Sequence, residues 1–235
     1  MLNLLLRIYR RIATVVSGHS ALAEKGERVD INLTSKPHYA LMDMYQKSHY
    51  KRYVFAKQFV QPGMACGDFA CGSGYGSALL AETAGSVTAV DIKQHVIDTV
   101  AGRYAGLHNV EFVCRDLRTI AYDKEFDLIV SFETIEHMAE QDVIGLFKNF
   151  SRALKNGGIL IFSTPYLQKR TPDAVSMGFH LTFDIDEAKI ASWLEPNGFS
   201  PEKFFYQNYQ SHDVAASLAD KDFVICVARK TEAAA

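Results

Sequence analysis

The sequence predicts an α/β domain built on a mostly parallel, seven-stranded sheet with helices on both faces. Three observations predict it. From about residue 60 onward, strand-like and helix-like runs alternate, which is the order that builds parallel sheets through helical crossovers. The run Phe126 to Phe132 is almost wholly apolar, as a strand covered on both faces should be. A turn rich in small residues, Gly72-Ser73-Gly74-Tyr75-Gly76, joins the first strand to a helix, at the place where such sheets bind ligands.

The elements follow in order. Leu2, Leu5, Leu6, Tyr9, Ile12, Ala13 and Val16 fall on one helical stripe carrying Arg7, Arg10 and Arg11 nearby. This N-terminal helix and a polar loop make up residues 1–36. The helix suits a membrane surface, or packing on its own domain or on another subunit, which leaves a homo-oligomer open. The main domain, 37–235, opens with a helical pattern over 38–60 that stops at Gln61-Pro62-Gly63. Strands are expected at 64–70, 87–91, 110–114, 126–132, 159–163, 204–207 and 223–228. Helices are expected at about 75–83, 93–104 and 141–155, the last stopped by Asn156-Gly157-Gly158. Asp184 and Glu187 have capping-box spacing and open a helix to about Leu194. Residues 166–183 lack a period and read as a long loop over the acceptor side, joined there by 207–221.

Composition narrows the function. Of 235 residues 48% are apolar, enough for a core, and the formal net charge of −2 gives no footprint for nucleic acid. No apolar run is long enough to span a bilayer. The four cysteines, Cys66, Cys71, Cys114 and Cys226, form no CxxC pair. They read as thiols of a reducing compartment, so the cytoplasm is expected, with its membrane face open through residues 1–16.

The chemistry centres on three acids at three successive strand ends: Asp68 before the turn, Asp91 after the second strand and Asp116 after the third. Glycines at the turn let the backbone approach a ligand. An acid at Asp91 can accept from both hydroxyls of a ribose, and one at Asp116 from the amino group of a purine. Asp68 lies four residues before Gly72, where its charge would repel a pyrophosphate but suit an ammonium group. That pattern favours S-adenosylmethionine (SAM) over a dinucleotide.

The successive motifs ACGDFACGSGYGS, VTAVDI, VCRDL, FDLIVSFETIEHM and LKNGGILIFSTP resemble those of class I SAM-dependent methyltransferases over about residues 60–165. The resemblance implies a Rossmann-like sheet whose last strand is antiparallel, with SAM as cofactor. It places Asp68, Ala70, Cys71, Gly72 and Gly74 around the methionine part, and Asp91 and Ile92 at the ribose and adenine. Asp116 and Leu117 would hold the adenine, with Ser131 and Phe132 near the sulfonium. Ala70 stands where the family usually has glycine, and Gly67 where it usually has a large aliphatic residue. His49-Tyr50-Lys51-Arg52-Tyr53, Ser131 to His137 and Gly178-Phe179-His180 resemble bacterial methyltransferases of glycan synthesis, which act on sugar hydroxyls. The Glu136-His137 pair also resembles quinone-biosynthesis O-methyltransferases.

A hydroxyl acceptor needs its proton removed, and an imidazole suits that. His137 is the first candidate base, with Glu136 or Glu133 to orient it, and His180 the second candidate, as base or acceptor ligand. His49, Arg52 and Tyr53 could meet the SAM carboxylate or the acceptor. No spacing demands a metal site, and none is expected. A sugar or glycan precursor leads as acceptor; a quinone, polyketide or lipid, and a non-catalytic SAM-binding module, remain as alternatives.

Overall fold

The structure, a computed structural model, describes residues 22, 28–34, 39–178 and 180–231. The helix expected over 1–16, most of the loop after it, and Phe179 lie outside the described residues. The described chain forms one eight-stranded sheet in the order β3-β2-β1-β4-β5-β8-β6-β7. Its strands are β1 (Ala65–Phe69), β2 (Ser86–Asp91), β3 (Val110–Cys114), β4 (Phe126–Phe132), β5 (Leu154–Pro165), β6 (Phe199–Gln207), β7 (Val214–Ala215) and β8 (Phe223–Lys230). Strands β1 to β5 pair in parallel, while β8 runs antiparallel between β5 and β6. The antiparallel last strand agrees with expectation. The eighth strand is the two-residue β7, which pairs at Tyr206↔Ala215 and Gln207↔Val214; two residues carry no period that a sequence could display.

Alternation along the strands explains how the helices divide. In β4, Leu128, Val130 and Phe132 pack in one cluster with residues of α1 (Met44–Lys57) and α2 (Tyr75–Ala81), while Ile129 packs in another. In β8, Ile225 and Val227 join the first cluster and Val224, Cys226 and Ala228 the second. The second cluster is completed by α4 (Glu140–Ala153) and α6 (Glu187–Leu194), through Phe147, Phe150 and Trp193. Helix α3 (Gln94–Arg103) lies on the α1 side, its Val96, Ile97 and Val100 meeting Ala78 and Ala89. Successive strand residues point to opposite faces, so both faces are apolar and both need a helical layer. Helix α4 meets that need with Val143, Leu146, Phe147 and Phe150 on one stripe; burying each of the larger side chains contributes about 1.5–3 kcal/mol.

Three local details differ from the sequence-based expectation. Helix α4 stops at Ala153, three residues before Asn156, because Leu154 already pairs with Phe126 in the sheet. The cap of α6 is Asp186, whose side chain accepts from Lys189 N, and not Asp184; Asp184 has φ +52 and turns the chain instead. Residues 166–183 contain a short helix, α5 (Pro172–Met177), capped by Thr171 with proline in its first turn.

The order of strands places a switch point between β1 and β4, whose following connections run to opposite sides of the sheet. The crevice outside the carboxyl ends of the strands there is the expected ligand site.

Candidate active site

The turn after β1 is built by backbone in the left-handed region. Ala70 (φ +68), Gly72 (φ +52) and Gly74 (φ +74) reverse the chain into α2, and Ala70 N and Cys71 N both donate to Val90 O, which pins the turn to β2. A Cβ at Gly72 would point into open space, whereas one at Gly74 would stand 3.1 Å from the Tyr104 ring and 3.2 Å from Phe112. Gly72 thus faces the crevice and Gly74 faces the core. The crevice is a cavity of about 520 Å³, within the range of small-molecule sites.

Asp68 lies beneath this turn, wholly buried. Tyr53 Oη donates to its Oδ1 at 2.8 Å and Ser77 Oγ to its Oδ2 at 2.5 Å. Burial pushes the Asp68 carboxyl up to about 6, against the pull of those two bonds. Tyr53 is itself fixed: its ring packs edge-on against Tyr75 and Phe132. A Cβ at Gly76 would come within 2.1 Å of that ring. Glycine at 76 therefore lets α1 and α2 touch, and Asp68 acts on the cavity through Tyr53 instead of lining it.

Asp91, also buried, accepts from Gly72 N at 3.2 Å and from Lys93 N at 3.0 Å. Its Oδ1 further pairs with Arg28 at 3.1 Å. Arg28 belongs to a strap, residues 28–34, that crosses the turn. Ser73 Oγ donates to Val29 O and accepts from Ile31 N, while Arg103 pairs with Asp30 at 2.6 Å. Asp116 is clasped by Arg118, which holds its carboxyl below the usual range. At this end two acids, an open glycine backbone and the exposed apolar face of Ile92 meet in the cavity wall.

The other end is set by the β4 terminus. Glu133 has φ +51, and its Oε1 takes Arg52 Nη1 at 2.5 Å and Ser163 Oγ at 2.7 Å. Arg52 is fully buried and stacks on the Phe223 ring at 4.3 Å. His49, one turn earlier on α1, borders the cavity, and burial together with the Arg52 charge holds its imidazole well below the usual histidine range. Glu136 is buried, its Oε1 4.0 Å from His137 Nε2, and Thr164 Oγ1 donates to its Oε2. Burial, with the neighbouring Glu133 charge, pushes its carboxyl well up. The His137 and His180 rings meet edge-to-face at 5.0 Å.

Of the residues singled out from sequence, Ala70, Cys71, Gly72, Asp91, Ile92, Asp116, Leu117 and Phe132 line the cavity, with His49, Tyr53, Glu133 and His137. Asp68, Gly74, Ser131, Arg52, Glu136 and His180 are not among the lining residues, although the His180 ring touches His137, which is. Ser131, for instance, donates to Thr134. Sequence reasoning did not single out Arg28 and Val29, which come from a stretch read as a polar loop and are placed by long-range bonds, or Met138 and Ala139, which follow His137; Leu181, also in the wall, lies in the 166–183 loop.

Residues 67–158 match a family described as a methyltransferase domain. Over 121 residues the chain is 36% identical to phosphoethanolamine N-methyltransferase 1 of Arabidopsis thaliana, covering 50% of this chain and 24% of that protein. Over 100 residues it is 35% identical to a ubiquinone biosynthesis O-methyltransferase of Coxiella burnetii, covering 41% of this chain and 42% of that one. The matched stretch thus spans less than half the length of either relative. Among solved structures, the N-methyltransferase NodS from Bradyrhizobium japonicum WM9 in complex with S-adenosyl-L-homocysteine superposes with a TM-score of 0.64 at 16% identity, over 84% of this chain and 93% of that one. That likeness shows the shared fold. The matched stretch holds the Gly-rich turn, Asp91, Asp116 and His137, so these residues of the cavity wall lie within the part of the chain that is similar to a methyltransferase domain.

Proposed function

We propose that this protein methylates a hydroxyl of a small acceptor, a sugar or glycan precursor. One observation carries the reading: a single cavity runs from Gly72 and Asp91 to His49, Glu133 and His137. Bound SAM supplies a methyl group on a sulfonium, open to in-line displacement. In this reading Asp91 holds the ribose, Asp116 and Leu117 the adenine, and the Ala70 to Gly72 backbone the methionine part. His137 activates the acceptor hydroxyl, since an imidazole accepts a proton near neutral pH. Glu133, held by Arg52 and Ser163, offers a fixed acceptor for a sugar hydroxyl. Positioning supplies most of the rate in such a displacement.

An apolar ring, such as a quinone, is the second reading. Met138, Ala139 and Leu181 give the acceptor end an apolar wall, and one relative is named for ubiquinone biosynthesis. All four cysteines are free, which supports a reducing compartment. Among the described residues no helix is long and apolar enough to cross a membrane.

Incubation with labelled SAM and a panel of nucleotide sugars, glycans and quinones tests the assignment. Label in a sugar ether is the expected outcome, and label only in a quinone would replace it with the second reading. Tight SAM binding without transfer to any acceptor would point to a binding module. The variant His137→Ala is expected to keep its affinity for SAM and to lose turnover; full activity would remove His137 from the mechanism.

A further inference from the structure

We propose that Glu136, His137 and His180 bind one divalent first-row transition ion at the edge of the acceptor cavity. One potential ligand atom from each lies within 4.8 Å of the other two. Bonds of about 2.0–2.2 Å to a common ion place such atoms roughly 3–4.4 Å apart, so small side-chain movements close the set. Two imidazoles and one carboxylate suit zinc, manganese or iron better than magnesium or calcium.

The three residues come from two segments that are fastened together. Glu136 and His137 lie in the short 3-10 turn Ile135–His137 after β4. His180 follows α5. Leu181 N and Thr182 N both donate to Glu136 O, at 2.7 and 3.1 Å, and Thr182 Oγ1 donates to Met138 O at 2.6 Å. The loop is thereby held against the turn, and the cluster is organised by backbone bonds instead of by the ion alone.

The outer partners fit as well. Gln168 Oε1 lies 2.6 Å from His180 Nδ1. With the amide oxygen as acceptor, Nδ1 carries the proton and the lone pair is on Nε2, the arrangement usual behind a metal-bound histidine. Thr164 Oγ1 donates to Glu136 Oε2 at 3.1 Å, which fixes the carboxylate in its turn. Three protein ligands leave coordination positions open, as catalytic sites do, and His137 and Leu181 border the acceptor cavity. The spacing in sequence announced none of this, because His180 is 43 residues beyond His137 and joins it only through the fold.

The role rests on the proposed hydroxyl methylation. An ion here would coordinate the acceptor hydroxyl and make it more acidic. Its proton leaves to solvent water, the oxygen–carbon bond forms, and the carbon–sulfur bond breaks to give the methyl ether and S-adenosylhomocysteine. With the ion bound, His137 is a ligand and not the proton acceptor, and the ion takes over the activation of the hydroxyl.

The test uses metal-stripped, full-length protein titrated with Co²⁺, whose visible absorption reports coordination, and with Zn²⁺ by calorimetry. One saturable ion per chain is expected. His180→Ala should weaken it about 100-fold. Gln168→Leu, which removes only an outer partner, should weaken it about 10-fold; both variants should keep wild-type affinity for S-adenosylhomocysteine. The absence of a saturable site, or Co²⁺ affinity unchanged in both Glu136→Gln and His180→Ala, would overturn the ion site. Methyl transfer unaffected by chelators, with no ion bound, would sink the ion and leave the proposed function standing. A saturable ion in a protein that methylates no hydroxyl would support the site and sink that function.

Discussion

Replacing Asp68 by asparagine should change how the stability of this protein depends on pH. Asp68 is wholly buried, and burial, helped by the Asp91 charge, raises its carboxyl from 3.8 to about 6, although Ser77 and Tyr53 pull it back. In the unfolded chain the carboxyl titrates near its ordinary value. Between those two values the folded protein holds more protons than the unfolded one, so stability falls as pH rises through the window. The contribution is fully present below about pH 4 and is lost above about pH 6. Each unit of separation corresponds to 1.36 kcal/mol, so the whole is about 3 kcal/mol. Asparagine has the same shape, accepts from one of the two hydroxyls, and does not titrate. Urea unfolding of wild type and Asp68→Asn, followed at half-unit steps from pH 4 to 8, gives the difference directly. Wild-type stability minus that of the variant should drop by about 3 kcal/mol across the series. A difference that stays flat, or that climbs with pH, would refute the argument that burial dominates this carboxyl.

Other substitutions test other parts of the site. Asp91→Ala should weaken S-adenosylhomocysteine by about 1.5–3 kcal/mol, or 10- to 150-fold in calorimetry, and an unchanged affinity would sink the ribose assignment. Gly76→Ala drives a methyl into the Tyr53 ring, which three neighbours hold in place. A loss of about 3 kcal/mol in urea unfolding is expected, with part of it recovered on adding Tyr53→Leu. Ala70→Gly should raise stability by up to about 1 kcal/mol, because the left-handed backbone at Ala70 costs an L-residue about 1–2 kcal/mol, offset in part by the greater freedom of glycine in the unfolded chain; a lower urea midpoint would contradict that.

The parts of the fold that sequence reveals are those fixed by local pattern. Phe126 to Phe132 and Phe223 to Ala228 are apolar because both faces are covered, and the Gly72 to Gly76 turn needs its glycines whatever lies elsewhere. Details set by competition were less legible. Asp184 and Asp186 both offer a cap two residues apart, and the backbone conformation at Asp184 decides between them. Thr171-Pro172 is a helix start that resembles a loop when proline is taken as a breaker. Gly67 stands where a large aliphatic residue is usual, and a Cβ there would stand 2.8 Å from the Phe69 ring and 3.2 Å from Ile129; the strand exchanges an aliphatic side chain for the phenyl ring two residues on. In the site, the acids at the strand ends were readable, but their partners were not. Arg28 reaches Asp91 across 63 residues and Arg52 reaches Ser163 across 111, and no spacing rule covers such distances.

Helix α1 has a consequence for altering this protein's specificity. Tyr53 on that helix props the donor end through Asp68 and Gly76. One residue away Arg52 anchors Glu133, and one turn back His49 borders the acceptor end. Donor and acceptor geometry therefore share a single rigid ruler. An engineer who retunes the acceptor by reshaping α1 will disturb cofactor affinity at the same time. The loop bearing His180 and Leu181 is fastened elsewhere, to Glu136 and Met138, and is the part that could be exchanged while that ruler stays in place.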